Sequence, residues 1–107
     1  MGISAENYDA GRLTDDFIRS LKATTKITKH TDGKGMYLEL SPAGGRWWRL
    51  KYRFGGKEKR LSLGVYPDVS IDAARRKRDM ARLLLLGGID PSQAKKQNRY
   101  VLTDMQE

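Results

Sequence analysis

The stretch Arg46–Gly64, RWWRLKYRFGGKEKRLSLG, sets two runs of strand-forming residues on either side of Gly55-Gly56. A two-residue glycine turn between such runs is a hairpin signal, and the turn fixes the register. Phe54 then faces Lys57, Tyr52 faces Lys59, Leu50 faces Leu61 and Trp48 faces Leu63. On the other side Arg53 faces Glu58, Lys51 faces Arg60 and Arg49 faces Ser62. One face is apolar away from its tip, and the other is a ladder of cations. Lys51 opposite Arg60 is a like-charge pair, which costs a little stability in the free protein. An anion lying on that face would relieve the cost.

Charge supports the same focus. The chain has 107 residues and a net charge of +8. Residues 27–64 hold nine cations and three anions, so +6 of the excess falls there. A basic sheet of this kind points toward nucleic acid, with a solvated surface as the plain alternative. There is no cysteine, which excludes disulfides and thiolate metal sites and fits a reducing cytoplasm. No apolar run approaches the length of a membrane span, and residues 1–25 lack the pattern of a secretion signal.

The chain divides into a flexible arm over 1–12, one domain over 13–91, and a linker or the start of a following helix over 92–107. Thr14 caps a short helix whose first turn holds Asp15 and Asp16, with Leu13 and Ile18 spaced as a hydrophobic staple. Phe17, Ile18 and Leu21 form its buried stripe, and it fades near Ala23. A short strand is expected around Ile27–His30, then a turn at Asp32–Gly35. Met36–Leu40 is a strand with Met36, Leu38 and Leu40 on one face and Tyr37 and Glu39 on the other. Ser70 caps a helix over Ile71–Leu86 that Gly87-Gly88 ends. Its apolar face holds Ala73, Ala74, Met80, Ala81, Leu84 and Leu85. Its polar face holds Asp72, Arg75, Arg76, Arg78, Asp79 and Arg82, and it also carries Leu83 and Leu86. Asp90-Pro91-Ser92 reads as a cap leading into Gln93–Arg99, and Thr103-Asp104 repeats the capping pair of the first helix. The expected fold is α+β: a three- to four-stranded antiparallel sheet packed against a C-terminal helix, with a short N-terminal helix.

Catalytic chemistry finds no support. His30 stands alone with no cysteine or second histidine, so no metal site is expected. Gly33-Lys34-Gly35 and Gly44-Gly45 lack the strand–loop–helix setting of a phosphate cradle. No serine or carboxylate sits beside a candidate base. No cofactor, small-molecule substrate or membrane is implied.

Binding is better supported. Arg49, Lys51, Arg53 and Arg60 project from one face with Ser62 beside them, and Lys57 and Lys59 flank the slim Gly55-Gly56 tip. A two-stranded ribbon fits the major groove of B-DNA, where arginine binds guanine bidentately and lysine or serine suits phosphate. Tyr37 and Trp47 belong to the same candidate face. Trp47 either shields arginine stems or contacts a thymine methyl, or else covers the sheet edge. Two rival readings stand beside duplex DNA. One is a protein-interaction module docking through Leu83, Leu86 and the 92–107 tail. The other is RNA binding by the basic sheet.

The residues also resemble a known family. The W-R-x-x-Y-R-F-G-G-K hairpin, L-S-L-G-x-Y-P, the A-R-x-x-R helix and G-I-D-P occur in order, preceded by LTDDFIRSLK and DGKGMYLEL. Over Leu13–Ser92 the chain resembles the N-terminal arm-type DNA-binding domain of phage and genomic-island tyrosine integrases. That resemblance implies a small antiparallel sheet that enters the major groove of arm-type sites, away from strand exchange. It implies a site-specific recombinase, encoded on a mobile genetic element, acting in DNA integration and excision in the bacterial cytoplasm, associated with the nucleoid. Other integrase domains or subunits would be partners. The family's catalytic domain uses an arginine–histidine–tyrosine set and a phosphotyrosine link. Nothing here matches it, since there is no histidine-x-x-arginine motif and Tyr100 lacks that context. This chain is therefore expected to be no enzyme by itself.

Overall fold

The computed structural model describes residues 11–97. Most of the expected arm, and the Thr103-Asp104 cap, lie outside the described residues. Helix α1 (Asp15–Ser20) starts where the Thr14 hydroxyl accepts the Phe17 amide at 3.1 Å, with Asp15 and Asp16 in its first turn. Carboxylates there meet the positive end of the helix dipole. Leu13 and Ile18 bracket the cap and are both buried, as a staple requires. The helix stops at Ser20, short of Ala23, because Leu21 turns extended. Phe17 corrects the expected stripe: it is 45% exposed, edge-on to the His30 ring at 6.0 Å.

Strands β1 (Thr28–Gly33), β2 (Met36–Leu40), β3 (Arg46–Phe54) and β4 (Lys57–Val65) form one antiparallel sheet in chain order. Short turns between sequential neighbours make this topology local and unknotted. Gly55 and Gly56 both have positive φ, at 60° and 78°. Glycine adopts that region at little cost, and it matches the twist of the flanking strands. The expected register holds from Phe54–Lys57 through Arg49–Ser62.

Beyond that the register slips. Trp48 lies opposite Gly64 rather than Leu63, and Trp47 opposite Val65. Leu63 is thus the extra residue of a bulge. Gly64 has a φ of +126°, and a Cβ there would stand 2.3 Å from Val69 Cγ2. The loop after β4 folds back over this point, and the Val69 carbonyl accepts the Trp48 indole N–H at 2.8 Å. Hydrogen bonding of the buried indole to the returning loop accounts for the slip.

One sheet face supplies the core: Met36, Leu38, Trp48, Leu50, Tyr52, Leu61 and Leu63 pack with Leu13, Ile18, Tyr66, Ile71, Ala74 and Ala81. Helix α2 (Ile71–Leu86) lies on that face, capped by Ser70 and closed at Gly87. Ala74 and Ala81 are buried at its contact, and their small side chains let helix and sheet approach. Two expectations about this helix need correction. Met80 is 64% exposed, whereas Arg78 is 4% exposed.

Asp32 explains the second. It sits at the irregularity between Thr31 and Gly33 in β1, and it is fully buried. Sequence reading places it in a turn; instead it is an anionic hub. Its Oδ1 accepts the Arg12 and Leu13 amides at 3.0 and 2.9 Å. Arg75 donates to both carboxylate oxygens, at 2.9 and 3.0 Å, and Arg78 lies 3.6 Å away. Burial pushes the Asp32 carboxyl upward, but the Arg75 hydrogen bond and the backbone amides outweigh it, so its pKa is lowered. The same contacts fix Arg12, the last residue of the expected flexible arm.

Asp32→Asn removes the charge that Arg78 is buried against and lowers the unfolding free energy by about 3 kcal/mol, measured by urea denaturation. Because the folded-state pKa is depressed, the contribution of Asp32 is complete above 3.8, its ordinary value, and is lost as the pH falls through the folded value. The urea midpoint of the wild type therefore drops as the pH falls below about 3.8, and that of Asp32→Asn drops less. Gly64→Ala forces a Cβ onto Val69 at a left-handed φ and costs about 2 kcal/mol, read from the same curves.

Candidate nucleic-acid interface

The face of the sheet opposite the core carries Lys29 and Thr31 from β1, Tyr37 and Glu39 from β2, and Trp47, Arg49, Lys51 and Arg53 from β3. Glu58, Arg60 and Ser62 come from β4. Alternation puts them there, and pairing lines them up: Lys29 with Glu39 and Trp47, and Tyr37 with Arg49 and Ser62. Five cations share this face with two carboxylates. Helix α2 packs on the other side. A shallow hollow of about 420 Å³ lies on it, lined in part by Lys29, Tyr37, Lys51, Glu58 and Arg60.

Lys51 does stand opposite Arg60, but each cation has its own carboxylate. Lys51 reaches Glu58 diagonally at 3.6 Å, and Arg60 reaches Glu39 at 3.6 Å. Glu39 also lies 3.4 Å from Arg49. Arg53 faces Glu58 as expected, but its guanidinium donates to the Gly56 carbonyl at 2.9 Å. The Arg60 pKa is raised, chiefly through a hydrogen bond to Tyr37 and then by Glu39. The Lys51–Glu58 pair is exposed on both sides and contributes little to stability, so a phosphate can replace it cheaply.

The nine sequence-predicted residues do not all converge. Arg49, Lys51, Arg53, Arg60 and Ser62 share the open face. Trp47 is there too, with the Arg49 guanidinium 5.8 Å from its ring centroid. Tyr37 is on that face but only 7% exposed; it forms the floor, with the Lys29 ammonium 5.5 Å from its ring centroid. Lys57 is exposed beside the tip. Lys59 faces the core side, paired with Tyr52, where it ion-pairs with Asp90.

Asp90 is itself a junction. It is buried, caps helix α3 (residues 91–97) by accepting the Ser92 amide at 3.0 Å, and accepts the Tyr52 hydroxyl at 2.6 Å. Burial raises its carboxyl, but Lys59, Tyr52 and the Ser92 amide outweigh burial and its pKa is lowered. The Lys59 pKa is raised chiefly by its hydrogen bond to Asp90. Burial and then Asp90 raise the Tyr52 pKa. Sequence reading finds Asp90 as a cap and misses its hold on the hairpin.

Four residues of the open face escaped selection as site residues: Lys29, Thr31, Glu39 and Glu58. Alternation along MYLEL puts Glu39 on the cationic face, yet its contact with Arg49 and Arg60 depends on β2 and β3 register. Lys29 joins through β1 pairing. Among the described residues no group of three or more His, Cys, Asp or Glu is arranged to hold a metal ion. His30 instead meets the Thr28 hydroxyl at 3.0 Å. No described helix is long and apolar enough to cross a membrane.

Removing the Tyr52 hydroxyl leaves Asp90 Oδ1 with the Ser92 amide alone. Tyr52→Phe lowers the unfolding free energy by about 1–2 kcal/mol in urea titrations, while the open face keeps its charges.

Residues 13–98 match the family model of the Arm DNA-binding domain. The chain is 45% identical over 84 residues to the integrase of Enterobacteria phage P4, covering 77% of this chain and 19% of that protein. It is 40% identical over 84 residues to the integrase of Shigella phage Sf6, covering 78% and 22%. It is 34% identical over 96 residues to the prophage integrase IntZ of Escherichia coli strain K12, covering 89% and 22%. The chain thus spans about a fifth of the length of these curated relatives.

Proposed function

Because the chain belongs to the Arm DNA-binding domain family, we propose that it holds a phage-type integrase on duplex DNA by laying its β3–β4 hairpin in the major groove. The target is an arm-type site flanking the point of recombination, and strand exchange belongs to other domains of the same integrase. The observation that carries this reading is the uncovered sheet face on which Arg49, Lys51, Arg53 and Arg60 stand together. Two paired strands lie about 4.8 Å apart, and the groove is about 12 Å wide, so the ribbon enters with its cations toward the bases and both phosphate rims. Arginine suits guanine O6 and N7, while Lys51 and Lys57 suit phosphate. The A-form major groove of RNA is too narrow for such a ribbon, which favours duplex DNA as the partner.

The triple variant Arg49→Ala, Lys51→Ala and Arg60→Ala weakens binding to duplex DNA at least tenfold in fluorescence anisotropy while its thermal transition stays near that of wild type. For about six neutralised phosphates, log K against log salt falls with a slope near −5. Unchanged affinity, or a slope near zero, overturns the reading.

A second reading has its own observation. Leu83 and Leu86 are 62% and 85% exposed on α2, which fits a contact with another integrase domain or subunit. Concentration-dependent sedimentation of the DNA-free protein supports that reading; a concentration-independent monomer removes it.

A further inference from the structure

We propose that Glu39 is a positioning residue that sets sequence discrimination on this face, by holding Arg49 and Arg60 to one oxygen. The inference rests on the DNA-binding reading above and adds a role to an anion that such a reading leaves unexplained. A carboxylate on a phosphate-binding surface opposes binding to every duplex alike, so its presence calls for a compensating gain.

The geometry supplies one. Glu39 lies on β2, directly beside β3, and its side chain is 11% exposed. At that depth it stands behind the arginines rather than in front of them. One oxygen, Oε1, is 3.4 Å from Arg49 Nε and 3.6 Å from Arg60 Nη1. Arg49 is braced on its other side by Trp47. Arg49 approaches Glu39 most closely through Nε, at the stem end of its guanidinium. Arg49 Nε itself is buried without a hydrogen bond, so the charge of Glu39 is its principal support. An arginine fixed by its stem end and open at its fork is preorganised for bidentate contact with guanine.

Specificity is a difference of affinities. The Glu39 charge lowers affinity for phosphate on any sequence, whereas the orientation it imposes helps only where a base edge matches. Both effects raise the ratio of specific to non-specific binding. Tyr37 and Lys29 flank the carboxylate, Lys29 directly across in β1. Tyr37 also hydrogen-bonds Arg60, but Glu39 is the carboxylate that both arginines share.

The test begins with a pool of randomised 30-base-pair duplexes, from which the wild-type protein selects an enriched sequence. Wild type, Glu39→Gln and Glu39→Asp are then titrated with that duplex and with a scrambled duplex. Glu39→Gln is expected to bind the scrambled duplex several-fold more tightly, with a salt slope steeper by about one. Its enriched-to-scrambled ratio falls about tenfold. Glu39→Asp keeps the charge but withdraws the oxygen, so its scrambled binding stays near wild type while its ratio falls. A purely structural role would lower both affinities together and leave the salt slope alone. If wild type enriches no sequence, the DNA reading and this inference both fall. If it enriches one and neither variant lowers the ratio, only the role of Glu39 falls. Should Glu39→Gln not fold, the ratio of Glu39→Asp decides.

Discussion

The buried carboxylate of Asp32 is the contact on which the arrangement of the elements depends. It collects the backbone just ahead of α1, the irregular end of β1, and two arginines from α2. These are three parts of the chain far apart in sequence, which otherwise meet through apolar contacts and two further hydrogen bonds, Arg75 to the Leu13 carbonyl and the Arg12 amide to the Asp32 carbonyl. Apolar contacts alone specify that a helix covers a sheet, but they leave its rotation and slide poorly defined. A charge buried beneath two arginines has one low-energy placement, because any shift strands a desolvated ion. Arg78 is buried for this reason, and the helix turns with it. Met80 is carried to the surface as a consequence.

With the apolar core on one side of the sheet, the other side is largely relieved of packing, Tyr37 and Glu39 being its buried residues. Its composition can then serve mainly charge. Cations and carboxylates interleave there so that the isolated domain tolerates Lys51 against Arg60, with Glu58 and Glu39 as internal counterions. The face is cationic in sum yet locally neutralised. That balance suits the DNA contact proposed for this face, which would hold a duplex without clinging to every stretch of it.

Much of this was legible in the sequence. The glycine pair set the hairpin register for six consecutive pairs, because a two-residue turn leaves one alignment. Ser70 and Gly87 bounded α2, since capping is local chemistry. Alternation gave the two faces of β2. What escaped was non-local. The slip at Leu63 depends on Val69 returning over Trp48, and nothing within the strands encodes it. The buried state of Arg78 depends on Asp32, forty-six positions away. Glu39 and Lys59 were each placed on the right side of a strand, but their partners lie on a neighbouring strand and beyond the helix. Short-range rules assign a side chain to a face; they do not say what waits for it there.

Asp90 joins the hairpin to the C-terminal part of the chain. Through Tyr52 and Lys59 it fastens the start of α3 to the strands that carry the cations, so the heading of α3 is set by the same framework as the ribbon. A ribbon seated in a groove has a definite rotational phase about the DNA axis. If the ribbon is seated as proposed, the heading of α3 inherits that phase. Polypeptide carried onward along that axis would then be delivered to a fixed side of the double helix, and moving the bound site by half a helical turn would deliver it to the opposite side.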